Sequence, residues 1–169
     1  MRVALLTIAE SPLCDAELGG QSIARHQLDF ALALECERIL VVAPKANAAA
    51  FSLQAAAEAG GARFQVVADA SPLLSVIKAE DELLVIADDI LPLSTSAKDH
   101  LAEKPAILAL HADDAVPAGF EQIDLNHAWA GAMLMPGKLT AKLSDLPYDA
   151  DIASSLLRIA LQANVPLNI

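Results

Sequence analysis

Two short polar stretches of this 169-residue chain contain residue types that could bind phosphate groups and a metal ion. The first is Gly19–Ser22 (GGQS), which precedes a helical pattern, and the second is Asp88-Asp89, which follows an apolar run. Glycine allows backbone N–H groups to approach a phosphate closely, and carboxylates are ligands that Mg²⁺ prefers. The two stretches therefore indicate phosphate and metal chemistry, provided that the fold brings them together.

Each of these stretches also has a simpler interpretation. Asp88 can cap the segment that follows it while both acids face water, and the glycine pair can serve only as the entry to a helix. The segment His111–Ala115 (HADDA) contains metal-competent residues, but a polar surface loop is the simpler interpretation because no second histidine lies at useful spacing. Acidic neighbours should raise the pKa of Cys14. Trp129 is expected to lie in the core.

The composition limits the class of protein. Hydrophobic residues make up 55% of the chain and aromatic residues only 4%, which favours a core of Ala, Leu, Val and Ile in helices packed on a sheet. The formal net charge of −11 would repel a polyphosphate backbone, so no nucleic-acid partner is expected. The length corresponds to one domain, covering residues 1–169.

The same composition predicts a cytoplasmic protein. Two cysteines, Cys14 and Cys36, do not make a disulfide framework, and reduced thiols are typical of the cytoplasm. The apolar run at the N-terminus is too short for a signal peptide. No segment approaches the roughly 18 apolar residues of a transmembrane helix, so no membrane partner is expected.

Apolar runs alternate with helical patterns along the chain. Ile23, Gln27, Phe30, Ala31 and Leu34 fall on one face of a helix that starts after Ser22. Further strands are predicted in the later segments FEQIDL (120–125) and AWAGAMLM (128–135), and a polar loop at 111–119. The predicted strands of the first part cover 2–8, 38–43, 63–67, 82–87 and 106–110. The other predicted helices cover 46–59, 72–79, 95–103, 137–144 and 151–163.

This alternation predicts a three-layer α/β/α domain with a mostly parallel sheet. Right-handed crossovers would then place the carboxyl ends of all strands on one rim, where ligands bind in such sheets. The final residues, NVPLNI, look like the start of another strand. We therefore expect a chain that is incomplete at its C-terminus, with a further C-terminal segment or a second copy of the chain as partner.

The order of elements and three stretches resemble the nucleotidyltransferase superfamily, whose members share the Rossmann-like nucleotide-diphospho-sugar transferase fold. The stretches are 19–43 (GGQSIARHQLDFALALECERILVVA), 82–92 (ELLVIADDILP) and, more weakly, 128–135 (AWAGAMLM). The resemblance implies an enzyme that transfers a nucleotidyl group from a nucleoside triphosphate to a sugar phosphate. It also implies Mg²⁺ as cofactor.

The resemblance assigns site residues position by position. The nucleotide-binding residues it implies are Ala9, Glu10, Ser11, Gly19, Gly20 and Gln21, and the implied metal ligands are Asp88 and Asp89. The family pattern L-x-x-G-x-G-x-R falls on residues 6–13, where Ala9 and Ser11 replace the glycines and Leu13 replaces the arginine. Gln21 stands where the family has lysine, and Ser22 where it has proline.

Two cationic groups of the family pattern are therefore missing. Removing one group that stabilises charge in a transition state commonly lowers the rate about 10²–10³-fold. Arg25 and Lys45 are the candidate catalytic cations that could replace them. The alternative is a catalytically degenerate module that binds a nucleotide, a sugar phosphate or a protein partner on the same fold. A third interpretation is an unrelated Rossmann-like domain.

Overall fold

The computed structural model describes residues 1–7, 17–43, 48–88, 90, 95–145 and 151–169. Within these ranges a seven-stranded sheet has the order β5-β4-β1-β6-β8-β7-β9, and a separate two-stranded hairpin has the order β2-β3. The strands of the sheet are β1 (Arg2–Thr7), β4 (Arg38–Val42), β5 (Arg63–Val67), β6 (Glu82–Ile86), β7 (Ala106–His111), β8 (His127–Pro136) and β9 (Leu167–Asn168). The hairpin consists of β2 (Glu17–Leu18) and β3 (Gln21–Ser22).

The helices pack on both faces of the sheet, which confirms the predicted three-layer architecture. One face contacts Leu28, Leu53 and Leu101 of the first, second and fourth helices. The opposite face contacts Leu73, Leu139 and Leu156. The helices are α1 (Ile23–Ala33), α2 (Ala48–Ala59), α3 (Leu73–Val76), α4 (Thr95–Ala102), α5 (Ala112–Ala115) and α6 (Ile152–Gln162), with a 3₁₀ helix at Gly137–Asp145.

The central strands are buried on both faces, as their continuous apolar sequences predict. Leu5 and Leu6 of β1 are fully buried on opposite faces of the sheet, as are Val85 and Ile86 of β6. Burial of each such side chain stabilises the fold by about 1.5–3 kcal/mol. Strand β1 runs parallel to both β4 and β6, β4 runs parallel to β5, and β9 pairs in parallel with β7.

One strand runs against the predicted direction. β8 is antiparallel to both β6 and β7, with Ile86 opposite Ala132 and Ile107 opposite Met133. The prediction that all carboxyl ends share one rim is therefore wrong, because an apolar run does not reveal the direction of its strand. The amino-terminal half of β8 instead lies beside the carboxyl end of β6.

Two predicted boundaries around the second half of the chain also change. The segment 120–125 is not a continuous strand, because Gln122 forms only an isolated bridge with Ala128. The carboxylate of Asp124 accepts hydrogen bonds from the backbone N–H groups of Asn126 and His127, and this local turn competes with strand pairing. The predicted loop 111–119 contains the end of β7 and the short helix α5.

Two predicted helices are also different. The helix predicted over 72–79 is limited to α3, because Ile77 is extended and the backbone N–H of Lys78 bonds to the Asp81 carboxylate. The helix predicted over 137–144 is a 3₁₀ helix. No helix in the described ranges has the length and apolar character needed to cross a membrane.

Candidate functional site

The carboxyl ends of β1 and β6 meet through a side-chain contact. These strands are parallel neighbours, with Leu6 opposite Ile86. The hydroxyl of Thr7, the last residue of β1, donates a hydrogen bond to Oδ1 of Asp88, just after β6. The sheet therefore holds the candidate metal ligand Asp88 at its carboxyl edge, where ligands bind in open α/β sheets.

A buried glutamine links helix α1 to the backbone around Asp88. The side chain of Gln27 is 3% exposed. Its amide Nε2 donates to the carbonyl of Ala87 at 3.1 Å and to the carbonyl of Ile90 at 2.7 Å. Because α1 starts at Ile23, Gln27 lies in its second turn, and this turn therefore packs beside the Asp88 segment.

The glycine pair forms a tight turn just before α1. Gly19 and Gly20 have φ angles of +63° and +83°, and Leu18 pairs with Gln21 across the turn. Positive φ at both central residues is the signature of a two-residue hairpin turn, which favours glycine. The hydroxyl of Ser22 then caps α1 by accepting a hydrogen bond from the Arg25 backbone N–H at 3.2 Å. Turn formation thus accounts for both glycines.

A pocket lies between two segments, one around Ala87 and one around Glu121, that form backbone hydrogen bonds with neighbouring parts of β8. The backbone N–H of Ala87 donates to the Gly131 carbonyl at 2.8 Å, and the N–H of Trp129 donates to the Glu121 carbonyl at 2.7 Å. The pocket between these two pairings has a volume of about 470 Å³. Its lining comes from residues that follow β6, the segment 118–121, β8 and the start of α6.

Two acidic residues of the lining are fixed by the amino end of α6. Asp151 caps this helix and accepts a hydrogen bond from the backbone N–H of Ser154 at 2.8 Å. The hydroxyl of Ser154 donates to Oε2 of Glu121 at 2.6 Å. These contacts hold both carboxylates against the pocket wall, where they can accept hydrogen bonds from a ligand.

The pocket has a strongly acidic lining. Asp88, Glu121 and Asp151 are among the lining residues, and the lining residues that belong to the described part of the chain include no lysine or arginine. Hydroxyl or ammonium groups suit such a lining, whereas a phosphate inside it would meet like charge.

Some of the predicted catalytic and nucleotide-binding residues lie in the described part of the chain, and others lie outside it. Arg25 lies on α1, and its Nε pairs with the Asp29 carboxylate at 3.0 Å on a half-exposed helix surface. Gln21 is exposed in β3. The residues Ala9, Glu10, Ser11, Lys45 and Asp89 lie outside the described residues. Their assigned roles stay predictions, as do those of Gly19, Gly20 and Asp88.

The side chains around Asp88 provide oxygen donors of the kind that Mg²⁺ prefers. Within the described residues, no group of three His, Cys, Asp or Glu side chains could hold a metal by itself. Mg²⁺ is usually bound through one or two carboxylates together with substrate phosphates and water. A single carboxylate at Asp88 therefore fits a metal ion that arrives with a nucleoside triphosphate.

Four further candidate residues were not predicted from the sequence: Thr7, Gln27, Glu121 and Ser154. A sequence signal exists for Gln27, because it is a polar residue on the apolar face of α1. The Asp151-x-x-Ser154 spacing is also typical of a helix cap. Glu121 gives no local signal, because its position depends on the direction of β8.

The structure resembles solved structures of nucleotidyltransferases. One is described as a glucose-1-phosphate thymidylyltransferase from Bacillus anthracis in complex with sucrose, with 14% identity, a TM-score of 0.62 and coverage of 99% of this chain and 85% of that one. A second is a 4-diphosphocytidyl-2C-methyl-D-erythritol synthase, with 16% identity, a TM-score of 0.65 and coverage of 98% and 86%.

A further 4-diphosphocytidyl-2C-methyl-D-erythritol synthase, from Anaerococcus prevotii, has 15% identity, a TM-score of 0.60 and coverage of 99% and 86%. A scan against protein-family models and a search of curated proteins give no match. At these identities the likeness concerns the arrangement of the backbone. The chain therefore has the nucleotidyltransferase fold, as the sequence resemblance implies.

Proposed function

We propose that the chain binds a nucleoside triphosphate at the edge formed by β1, α1 and β6, and transfers its nucleotidyl group to a sugar phosphate. The observation that carries this proposal is the position of Asp88. It is tied to Thr7, flanked by the two carbonyls that Gln27 binds, and exposed to a pocket of about 470 Å³. The fold of the similar structures supports the same assignment.

In this reaction an oxygen of the acceptor phosphate attacks the α-phosphorus of the nucleoside triphosphate. The bond between the α-phosphorus and the bridging oxygen breaks, and pyrophosphate leaves with that electron pair. Bound Mg²⁺ would neutralise phosphate charge during this step. The role of Asp88 is to hold the metal, and the role of the surrounding hydrogen bonds is to keep its carboxylate in one orientation.

The pocket is assigned to the sugar part of the acceptor. The carboxylates of Glu121 and Asp151 can accept hydrogen bonds from sugar hydroxyls, and Trp129 forms part of the apolar wall. Because the lining repels phosphate, the acceptor phosphate belongs at the Asp88 end of the pocket, next to the metal and the nucleotide. The acceptor thus enters with its sugar towards Glu121.

A catalytically degenerate binding module is the second candidate. It is favoured by the ion pair between Arg25 and Asp29, because a guanidinium group that pairs with Asp29 is less available to replace the arginine and lysine of the family pattern. Such a module would retain nucleotide or sugar-phosphate binding without turnover. For either candidate we propose a cytoplasmic location, supported by the buried free thiol of Cys36.

Thermal unfolding with ATP, CTP, GTP, UTP and dTTP, each with and without Mg²⁺, tests the proposed function. A nucleotide at 100 times its Kd should add about 2.7 kcal/mol to the free energy of unfolding. We expect one nucleotide to produce such a shift only with Mg²⁺, and Asp88→Asn to abolish it. Glu80→Gln is the matched control, because it also removes one negative charge but lies before the amino end of β6, away from Asp88.

Each outcome of the panel separates the candidates. A shift that needs no metal supports the degenerate module. The absence of a shift with every nucleotide contradicts the transferase and a nucleotide-binding module, and leaves only a module that binds a sugar phosphate. Where the Mg²⁺-dependent shift is present, pyrophosphate release with sugar 1-phosphates decides whether the chain turns over. Release that depends on both the acceptor and Asp88 supports the transferase, whereas binding without release supports the module.

A further inference from the structure

We infer that Gln27 is a positioning residue that keeps Asp88 in its metal-binding orientation, with Thr7 as its partner in this role. The inference rests on the proposed function, since it concerns the metal that Asp88 is proposed to bind. Gln27 lies on α1, Thr7 ends β1, and Asp88 follows β6. Residues from α1 and β1 thus meet at Asp88, Gln27 on the flanking backbone and Thr7 on the carboxylate.

The hydrogen bonds of Gln27 restrain the backbone on both sides of Asp88. The two acceptors are the carbonyls of Ala87 and Ile90, at 3.1 Å and 2.7 Å from Nε2. A primary amide has two N–H groups, so Nε2 can serve both carbonyls at once. The requirement for two donors also fixes which end of the amide faces these carbonyls. Gln27 therefore joins residues immediately before and shortly after Asp88.

Burial makes this connection rigid. The side chain of Gln27 is only 3% exposed, so water has little access to replace its amide. Without Gln27, the carbonyls of Ala87 and Ile90 would lose a buried donor. Thr7 adds a restraint on the carboxylate itself by donating to Oδ1 of Asp88. The backbone and the side chain of Asp88 are consequently held by different residues.

A structural role and a positioning role predict different effects on metal binding. Loss of an outer hydrogen-bond partner of a metal ligand typically weakens metal affinity 10–100-fold. If Gln27 only stabilises the core, its loss should lower the melting temperature and leave the metal affinity of the folded protein unchanged. Metal affinity measured below the melting transition is therefore the informative readout.

The experiment is a titration of the full chain with Mn²⁺, followed by the electron paramagnetic resonance signal of free Mn²⁺. It is performed alone and with whichever of ATP, CTP, GTP, UTP or dTTP stabilises the wild type. Gln27→Met removes both donors at similar length, and Gln54→Met is the control for the same substitution on α2. Thr7→Val removes the hydroxyl that bonds to Asp88, and Thr7→Ser retains a hydroxyl at the same position. This second pair of variants tests the inference if Gln27→Met fails to fold.

We expect Gln27→Met and Thr7→Val each to weaken Mn²⁺ binding at least tenfold, while Gln54→Met and Thr7→Ser bind like the wild type. If Gln27→Met folds and binds Mn²⁺ with wild-type affinity, the inference is overturned and the proposed function stays intact. If Gln27→Met does not fold, wild-type affinity in Thr7→Val has the same consequence. If the wild type binds no Mn²⁺ under either condition, or if Asp88→Asn binds it equally well, the proposed metal role and this inference both fail.

Discussion

The hydroxyl of Thr7 donates to the carboxylate of Asp88 and joins the ends of two parallel strands that are far apart in sequence. Hydrogen bonds to charged groups stabilise proteins more than neutral ones, although partial exposure reduces the gain. We therefore expect Thr7→Val to lower the free energy of unfolding by about 1 kcal/mol. Denaturant unfolding measures this change. Thr7→Ser should recover most of the loss, and equal stability of the two variants would contradict the assigned contact.

Gly131 of β8 packs closely against Ile90, and both residues line the pocket. Its φ is +89°, and an added Cβ would lie 2.3 Å from Cγ1 of Ile90. Gly119 has a similar φ of +98°, but an added Cβ there meets nothing within 4 Å. Because only Gly131→Ala adds a clash, we expect it to cost about 1–3 kcal/mol more stability than Gly119→Ala. Denaturant unfolding of the two variants compares them.

This pair separates backbone strain from steric crowding. Strain from positive φ applies to both alanine variants, whereas displacement of Ile90 follows only from the change at Gly131. Equal losses of stability would show that Ile90 moves aside without cost. A larger loss for Gly119→Ala would contradict the described packing of Gly131 against Ile90.

Glu121 should affect the acceptor and not the nucleotide. Its carboxylate is oriented by the Ser154 hydroxyl at 2.6 Å and lines the pocket assigned to the sugar. We expect Glu121→Gln to weaken sugar-phosphate binding about tenfold, equivalent to about 1.4 kcal/mol. Isothermal titration with the sugar phosphate and, separately, with the nucleoside triphosphate measures both affinities. Weaker nucleotide binding with unchanged acceptor binding would contradict the assigned orientation of the acceptor.

The buried thiol of Cys36 gives stability a specific dependence on alkaline pH. Burial, with a smaller contribution from Glu82, raises the pKa of Cys36 from 9.0 to about 12, and Arg2 partly opposes this shift. Above pH 9 the unfolded thiol therefore releases a proton that the folded thiol retains. The contribution to stability is complete below pH 9 and is lost as the pH rises towards about 12.

Unfolding between pH 9 and pH 11 measures this effect in a Cys14→Ser background. We expect stability to fall by up to about 1.4 kcal/mol per pH unit more with Cys36 than in Cys36→Ala. The difference between the two proteins removes the contribution of lysine and tyrosine groups that also titrate in this range. Parallel pH profiles would show that the thiol does not remain protonated in the fold.

The sequence predicted the layers of the fold well, because buried parallel strands appear as continuous apolar runs. Strands such as β1 and β6 were expected close to their observed positions, and their shared carboxyl edge followed from the alternation with helices. The direction of β8 could not be predicted, since an apolar run reads the same in both directions. The segment 120–125 was also predicted wrongly, because side-chain acceptors at Asp124 form a turn there.

The candidate site was harder to predict than the fold. Asp88 was identified as the first residue of an acidic pair after a strand, but its restraint by Thr7 and Gln27 depends on contacts between distant segments. The sequence predicted a phosphate-binding role for the glycine pair, which stays a prediction, and the structure adds that both glycines form a hairpin turn. The pocket beside Glu121 depends on an antiparallel pairing that no local pattern indicates.

The metal-binding role proposed for Asp88 is best tested by a crystal structure of the chain with Mn²⁺ and the stabilising nucleoside triphosphate, with data collected at the manganese absorption edge. We predict an anomalous peak within coordination distance of a carboxylate oxygen of Asp88 and beside the nucleotide phosphates. A nucleotide bound at this edge with no peak beside Asp88, or a peak coordinated by other residues, would contradict that role.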